Sequence, residues 1–407
     1  MEMTVSKKLL IKEVLFWTCF FVYTVFSFYL FYSQAATSDS RFHSDMQWYI
    51  KGVLGTNERD PYPYRLFFWV VGALNVVFPI KLSAAFGTVL FNSATVFILK
   101  HYIEKYFTGQ QEGNSNDRRS DALYMYGTAA AVFSSLTASM IIIPFNVFYK
   151  FEGQYYIGQG SGNLWHNATY LATRPFATVA FFLFIEILKE INGRVNIKKY
   201  IIFAASMFLS VFAKPTFAIV MIPTAAVMLA ATLVTARFRN FRNVFFASLT
   251  FVPALLDGLR QYMPVFGSDR QSGIGFGFGD VWKQYTNSIP VSIILCFAFT
   301  IYIFICNLKN KDHRILMLFS FSFLIVALFE GVFLYEKGIR MPDGNFLQGY
   351  LHAMFFLFIV SLIIWLTKNP GKKKSILYNI FAALLFLMHT VSGIWYFIHL
   401  IQGNSFY

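Results

Sequence analysis

Charge is scarce in this sequence. Only 13% of its 407 residues are Asp, Glu, Lys or Arg, against 57% hydrophobic and 20% aromatic, with 50 Phe among them. A soluble domain is excluded, because so little polar side chain cannot cover a water-facing surface. Apolar runs of about 15–24 residues recur from end to end, and roughly 20 residues cross a hydrocarbon core about 30 Å thick. The gaps between them hold no separate soluble domain, so residues 1–407 read as a single integral membrane domain. Cysteine is equally sparse: Cys19, Cys296 and Cys306 all fall in apolar spans without Cys-x-x-Cys spacing. That excludes a disulfide framework and a zinc site. No internal repeat survives inspection, which removes the best sequence sign of an inverted-repeat transporter. Glycine-rich stretches exist, but the one before Trp165 lacks a Lys-Ser/Thr ending, and Gly273 to Gly279 alternates glycine with apolar residues. Neither is a phosphate loop or a dinucleotide fingerprint; the second reads as an apolar, lipid-facing lid.

What charge there is has a pattern. The net charge is +14, yet the basic residues sit at helix ends rather than in a stripe. This is topology and excludes a nucleic-acid partner. Lys7, Lys8 and Lys12 precede a retained first helix, so the N-terminus is expected in the cytoplasm. Leu66 to Ile103 reads as one crossing or two. One crossing leaves Lys100, Lys105, Lys189, Arg194, Arg237, Arg239 and twelve further basic residues after Lys105 inside, whereas two would put them all outside; Leu66 to Phe78 is therefore expected to be a re-entrant or outer-leaflet helix. The expected crossings are 14–34, 82–103, 122–143, 174–191, 200–213, 216–235, 243–257, 288–307, 315–335, 348–367 and 376–398. The fold class is thus all-α and polytopic, with about eleven transmembrane helices plus re-entrant or membrane-parallel helices in the first outward loop, and an external C-terminus.

Acid, base and aromatic residues concentrate just after the first span, in Ser38 to Asp45 and on to Tyr62-Pro63-Tyr64-Arg65. Ionisable groups at a membrane boundary are costly unless paired or used. Asp45 is the first candidate for a general base, since partial desolvation beside Trp48 and Tyr49 raises carboxylate basicity; Asp39 is the alternative. A helix over 43–53 would take Ser44 as its N-cap and place Asp45 and Trp48 on one side. Tyr64 and Arg65 form a stiff turn that delivers a guanidinium suited to a phosphate. A second outward loop supplies Trp165, His166 and Arg174, with Pro175 just inside an expected helix start whose free N–H groups attract anions. Asn167-Ala168-Thr169 matches a glycosylation acceptor, a match expected by chance in a chain this long. Lys214 at the Lys214-Pro215 corner, Arg340 and His43 complete the candidate substrate-binding set.

The arrangement resembles the GT-C superfamily of polytopic membrane glycosyltransferases. The points of likeness are a cytoplasmic N-terminus, an outward first loop carrying Asp39 and Asp45, membrane-parallel helical material after it, and many further helices. The resemblance implies transfer of a sugar from a polyprenyl-phosphate-linked donor to a glycan or lipid-linked acceptor on the non-cytoplasmic face of a bacterial plasma membrane, for cell-envelope polysaccharide. It implies Asp45, or Asp39, as base. The chain departs from metal-dependent members in having no Asp-x-Asp pair, so no metal ligand is assigned and a divalent ion stays open as a cofactor. A polysaccharide polymerase or ligase of the O-antigen type, and a lipid-linked saccharide flippase, are the alternatives.

Overall fold

The computed structural model describes residues 5–37, 41–56, 62–108, 122–142, 160–266, 273–367 and 374–404. Fourteen helices are named here: α1 (Val5–Ala36), α2 (Met46–Leu54), α3 (Leu66–Asn75), α4 (Ile80–Thr108), α5 (Thr128–Thr137), α6 (Ala168–Glu190), α7 (Ile197–Ala213), α8 (Ala218–Thr235), α9 (Phe241–Leu249), α10 (Val252–Phe266), α11 (Ile289–Asn307), α12 (Arg314–Phe333), α13 (Leu347–Thr367) and α14 (Lys374–Ile401). Among the described residues, eight helical segments are long and apolar enough to cross a membrane, those of α1, α4, α6, α8, α11, α12, α13 and α14. The chain is therefore an all-α membrane protein in its coarse architecture. The remaining three expected crossings fall on shorter pieces: α5, which follows a wide helical turn at Leu123–Gly127; α7; and α9–α10, which break between Leu249 and Val252 just before Pro253. A proline removes an amide donor and crowds the preceding turn, so a break there is its ordinary consequence.

Burial separates centre from rim. α6 and α13 are apolar on all sides and are almost wholly buried, at 83% and 89% of their apolar windows, whereas α1 and α14 are 28% buried. A helix that is hydrophobic all round belongs inside a bundle or against lipid. Phe181 of α6 and Phe356 of α13 stack at 4.4 Å in the middle of this core. One end of the bundle is tied by ion pairs, Lys12–Glu104 at 2.7 Å, Lys100–Glu13 at 3.1 Å and Lys199–Glu186 at 3.1 Å. With Lys105–Glu186 at 2.5 Å, these join the start of α1, the end of α4, the end of α6 and the start of α7. The opposite ends of the same four helices meet where Lys81 Nζ donates to Ala36 O and Lys214 Nζ donates to Asn167 Oδ1. The four helices consequently run between the same two ends, and among the described residues Asp45, His166 and Lys214 lie at the second.

α3 has ten residues, about 15 Å at 1.5 Å per residue, too short to span. Its start is hydrogen-bonded to the end of α7, Arg65 N to Phe212 O at 3.0 Å, and Trp69 packs edge-on to Phe212. It lies beside the candidate site, with Phe67 and Val71 inward.

Two of the differences from the sequence reading concern the secondary-structure elements themselves. Ile274–Phe276 and Leu334–Glu336 form a two-stranded antiparallel sheet, β1 and β2, with Gly275 opposite Tyr335. The alternation of glycine with apolar residues is a period-two pattern, and Gly275 leaves room for the Tyr335 ring, which lies 2.4 Å from where a Cβ at 275 would stand. The second difference is α6, which begins at Ala168, six residues before the expected start; Pro175 lies inside it rather than in its first turn. Asn167 is the reason. Its Oδ1 accepts from Tyr170 N at 2.9 Å and caps the helix.

Candidate functional site

The segment before α6 was expected to be a flexible outward loop, yet every residue from Gly160 to Pro175 is buried. Glycine permits this. Gly160 has φ +125°, and a Cβ at Gly162 would come within 3.0–3.1 Å of Phe355 N and Cα, so only glycine lets the backbone lie against α13. Irregular backbone is tolerated at membrane depth when protein groups satisfy it. Here Met140 N donates to Gly160 O, and Asn163 Nδ2 donates to Ala138 O at 2.8 Å.

Arg174 belongs to this support. Its Nη2 donates to Gly162 O at 3.2 Å and to Asn163 Oδ1, and its guanidinium lies 4.1 Å from the Phe355 ring centroid. It is fully buried, one turn and more below the cap of α6. Arg174 thus clamps the loop instead of opening onto the surface where Arg65 lies exposed. Trp165 is likewise internal, packed on Tyr23, Phe31 and Phe397 at 5.8, 6.2 and 4.4 Å. Aromatic residues in outward loops look like ligand platforms in a sequence; here the loop has turned inward and the ring has joined the core.

Asp45 stands at the start of α2 and is drawn onto the buried loop. Its backbone N–H donates to His166 O at 3.1 Å, Asn167 Nδ2 donates to its Oδ2 at 2.8 Å, and the Tyr49 phenol donates to the same oxygen at 3.3 Å. The orientation of the Asn167 amide is determined by its surroundings. Tyr170 N at 2.9 Å and Lys214 Nζ at 3.2 Å both face Oδ1, which leaves the NH₂ for the carboxylate. Thr169 Oγ1 lies 3.1 Å from the Tyr49 phenol and 2.9 Å from Asn167 Oδ1, steadying both donors. One amide therefore bridges an aspartate and a lysine from distant parts of the chain.

The electrostatics follow. Burial pushes the Asp45 carboxyl above its ordinary value; the Lys214 charge and the Tyr49 hydrogen bond oppose this, and Asp343 adds to it. Burial, with the Asp45 charge, holds the Tyr49 phenol well above its ordinary value, so it remains a donor. Burial and the Lys214 and His43 charges lower His166 to about 3, leaving a neutral ring. Asp45 is the base candidate of this group and His166 is not an acid.

Tyr64 lies at the rim, in contact with Tyr62 and Phe68 and 5.8 Å under Lys214 Nζ. Arg65, next in sequence, is exposed, and so is His43. Trp48 is exposed under Lys51 and Asp45 turns to Tyr49 instead, because the i to i+4 direction of a helix, not i to i+3, carries the phenol back to the carboxylate. Asp45 itself occupies the N-cap, with Ser44 Oγ accepting from Met46 N. Asp39 and the side chain of Arg340 lie outside the described residues. The amide and phenol donors on Asp45, with a lysine across Asn167, are a poor set for a divalent ion, and the described residues contain no cluster of three metal-binding groups. An open depression of about 340 Å³ lies away from Asp45, near Asn192, Arg237, Arg239 and Asn240; no carboxylate lines it.

Asn167, Thr169 and Tyr170 were not assigned roles from the sequence, and Tyr49 was read only as an apolar flank of Asp45, not as a hydrogen-bond donor to it. The glycosylation-type triplet was the available signal, but Asn167 and Thr169 are buried and committed to Asp45 and Tyr49. No protein-family model matches the chain, and no curated protein matches it.

Proposed function

We propose that the chain is a membrane glycosyltransferase of GT-C-like architecture, with eleven crossings, the ion-paired end cytoplasmic and the Asp45 end outside. The observation that carries the reading is the hydrogen-bonded Asp45, raised in basicity at the boundary of an apolar bundle and set beside cations. Basic residues crowd the other end, which supports this orientation. The donor is a polyprenyl-phosphate-linked sugar and the acceptor a glycan or lipid-linked hydroxyl. Asp45 takes the proton of the acceptor hydroxyl, and that oxygen forms the new bond to the anomeric carbon. The bond from that carbon to the phosphate oxygen breaks, and the phosphate leaves with the electron pair. Lys214 and exposed Arg65 lend positive charge to the departing phosphate, while Asn167 and Tyr49 hold the carboxylate in one orientation.

Transfer of radiolabelled sugar from a polyprenyl-phosphate donor by the purified chain tests the reading. Activity in the wild type that is lost in Asp45→Asn supports it. Retention of full activity in Asp45→Asn would remove the base from this loop, and saccharide movement across vesicles without transfer would favour a flippase.

A further inference from the structure

Beyond Asp45, a second set of polar groups lies buried on the same end of the bundle. Glu330, near the end of α12, is 6% exposed, and its Oε2 has no hydrogen-bond partner. That oxygen is 3.4 Å from the point a Cβ on Gly349 would occupy, Thr216 O is 3.7 Å from the same point, and a methyl of Val220 lies against it at 2.4 Å. Thr216 Oγ1 is hydrogen-bonded to His352 Nε2 at 3.1 Å, while His352 Nδ1, fully inside, has no partner. The His352 ring stacks on Tyr170 at 4.2 Å, and Tyr170 N is bonded to the same Asn167 that holds Asp45. Thr216 is two residues from Lys214. Unpaired buried polar atoms cost about 1–3 kcal/mol each, and these two are carried by helices α12 and α13, which pack on each other.

The charge around them selects its chemistry. An ammonium ligand would meet Lys214 and Arg174, whose charges both act on His352. A phosphate would meet the Glu330 carboxyl. A neutral hydroxyl-rich ring satisfies both, since each hydroxyl can donate to a carboxyl oxygen and donate to or accept from an imidazole nitrogen. We propose that Glu330, His352 and Thr216 form the sugar-recognition subsite, with the donor's sugar ring turned inward to them and its phosphate toward Lys214 and Arg65. The assignment rests on the donor reading above.

The test compares binding of a polyprenyl phosphate with binding of the same lipid carrying one hexose, using the full chain in lipid nanodiscs. The wild type should prefer the hexose-bearing lipid. Glu330→Leu and Thr216→Val should weaken that lipid roughly tenfold or more and leave the bare phosphate unchanged. Glu330→Gln, which keeps a hydrogen-bonding group of the same size, should recover part of the loss, and Lys214→Gln should weaken both lipids alike. Melting curves identify any variant that has not folded, and Thr216→Val, close in shape to the native residue, guards against loss of the Glu330 variant. An unchanged preference in Glu330→Leu and Thr216→Val overturns the subsite while leaving the transferase reading intact. Wild-type protein that binds neither lipid overturns both.

Discussion

Asn167 Nδ2 reaches Asp45 Oδ2 at 2.8 Å across 122 positions of sequence, while its Oδ1 is held by the Lys214 ammonium. The amide cannot turn over without facing an acceptor with an acceptor and a cation with a donor. Asp45 is consequently fixed by groups from α6 and the α7–α8 corner as well as by its own helix.

If Asp45 is the base, Asp45→Asn keeps size and much of the hydrogen bonding but cannot accept a proton. Turnover should fall by about 10²–10⁴-fold with donor affinity largely retained. Steady-state kinetics beside direct donor binding separates the two quantities.

The acid limb of the rate profile should follow Asp45, rising with pH through a value above that of an ordinary carboxylate. Tyr49→Phe removes the phenol that lowers it, and Lys214→Gln removes the charge that lowers it, so both should move the limb to higher pH. His166→Gln should not move it, because that ring is already neutral. The stability linkage has the opposite sense to the rate. The folded state holds the Asp45 proton more tightly than the unfolded chain, so this contribution is full below the unfolded value and is lost as pH rises through the folded one. Melting temperature against pH should show less of this decline in Asp45→Asn.

Arg174 and Arg65 should separate cleanly. Arg174→Lys keeps the charge but loses the planar fork that reaches Gly162 O and Asn163, and should cost about 2–3 kcal/mol in stability. Arg65→Ala, at an exposed side chain, should leave melting nearly unchanged and weaken the polyprenyl-phosphate donor. Equal effects on melting would contradict the clamp.

Gly162→Ala forces a Cβ against the Phe355 backbone rather than against a flexible side chain. A cost of about 1–3 kcal/mol is expected, with a further drop in activity because Asn167 and His166 follow on the same loop. Gly258→Ala, where a Cβ meets nothing within 4 Å, serves as the matched control.

Sidedness is open to cysteine labelling in a background with the three native cysteines replaced by serine. Probes at Arg65 should react from outside, and probes at Lys105, Arg194 and Arg239 from the cytoplasm. Labelling of Arg65 and Arg194 from the same side would reverse the reading of Leu66 to Ile103 as a single crossing.

Long apolar runs were enough to determine the membrane class and to place most helices, because desolvation of a twenty-residue segment is a local property summed along the chain. Asp45, Lys214 and Tyr64 were legible for the same kind of reason, as charge or aromatic density at the end of an apolar run. The fate of Gly160 to Pro175 was not. Whether a glycine-rich loop lies in water or against a helix depends on α13, nearly two hundred residues away, offering Phe355 as a neighbour and on Arg174 and Asn163 satisfying the backbone. The same limit hid Asn167, whose role exists only where the loop meets α2 and the α7–α8 corner. Composition decided what the protein is immersed in; packing between distant helices decided which of its few polar groups face one another, since hydrogen bonds at 2.8 Å are set by three-dimensional position and not by spacing along the chain.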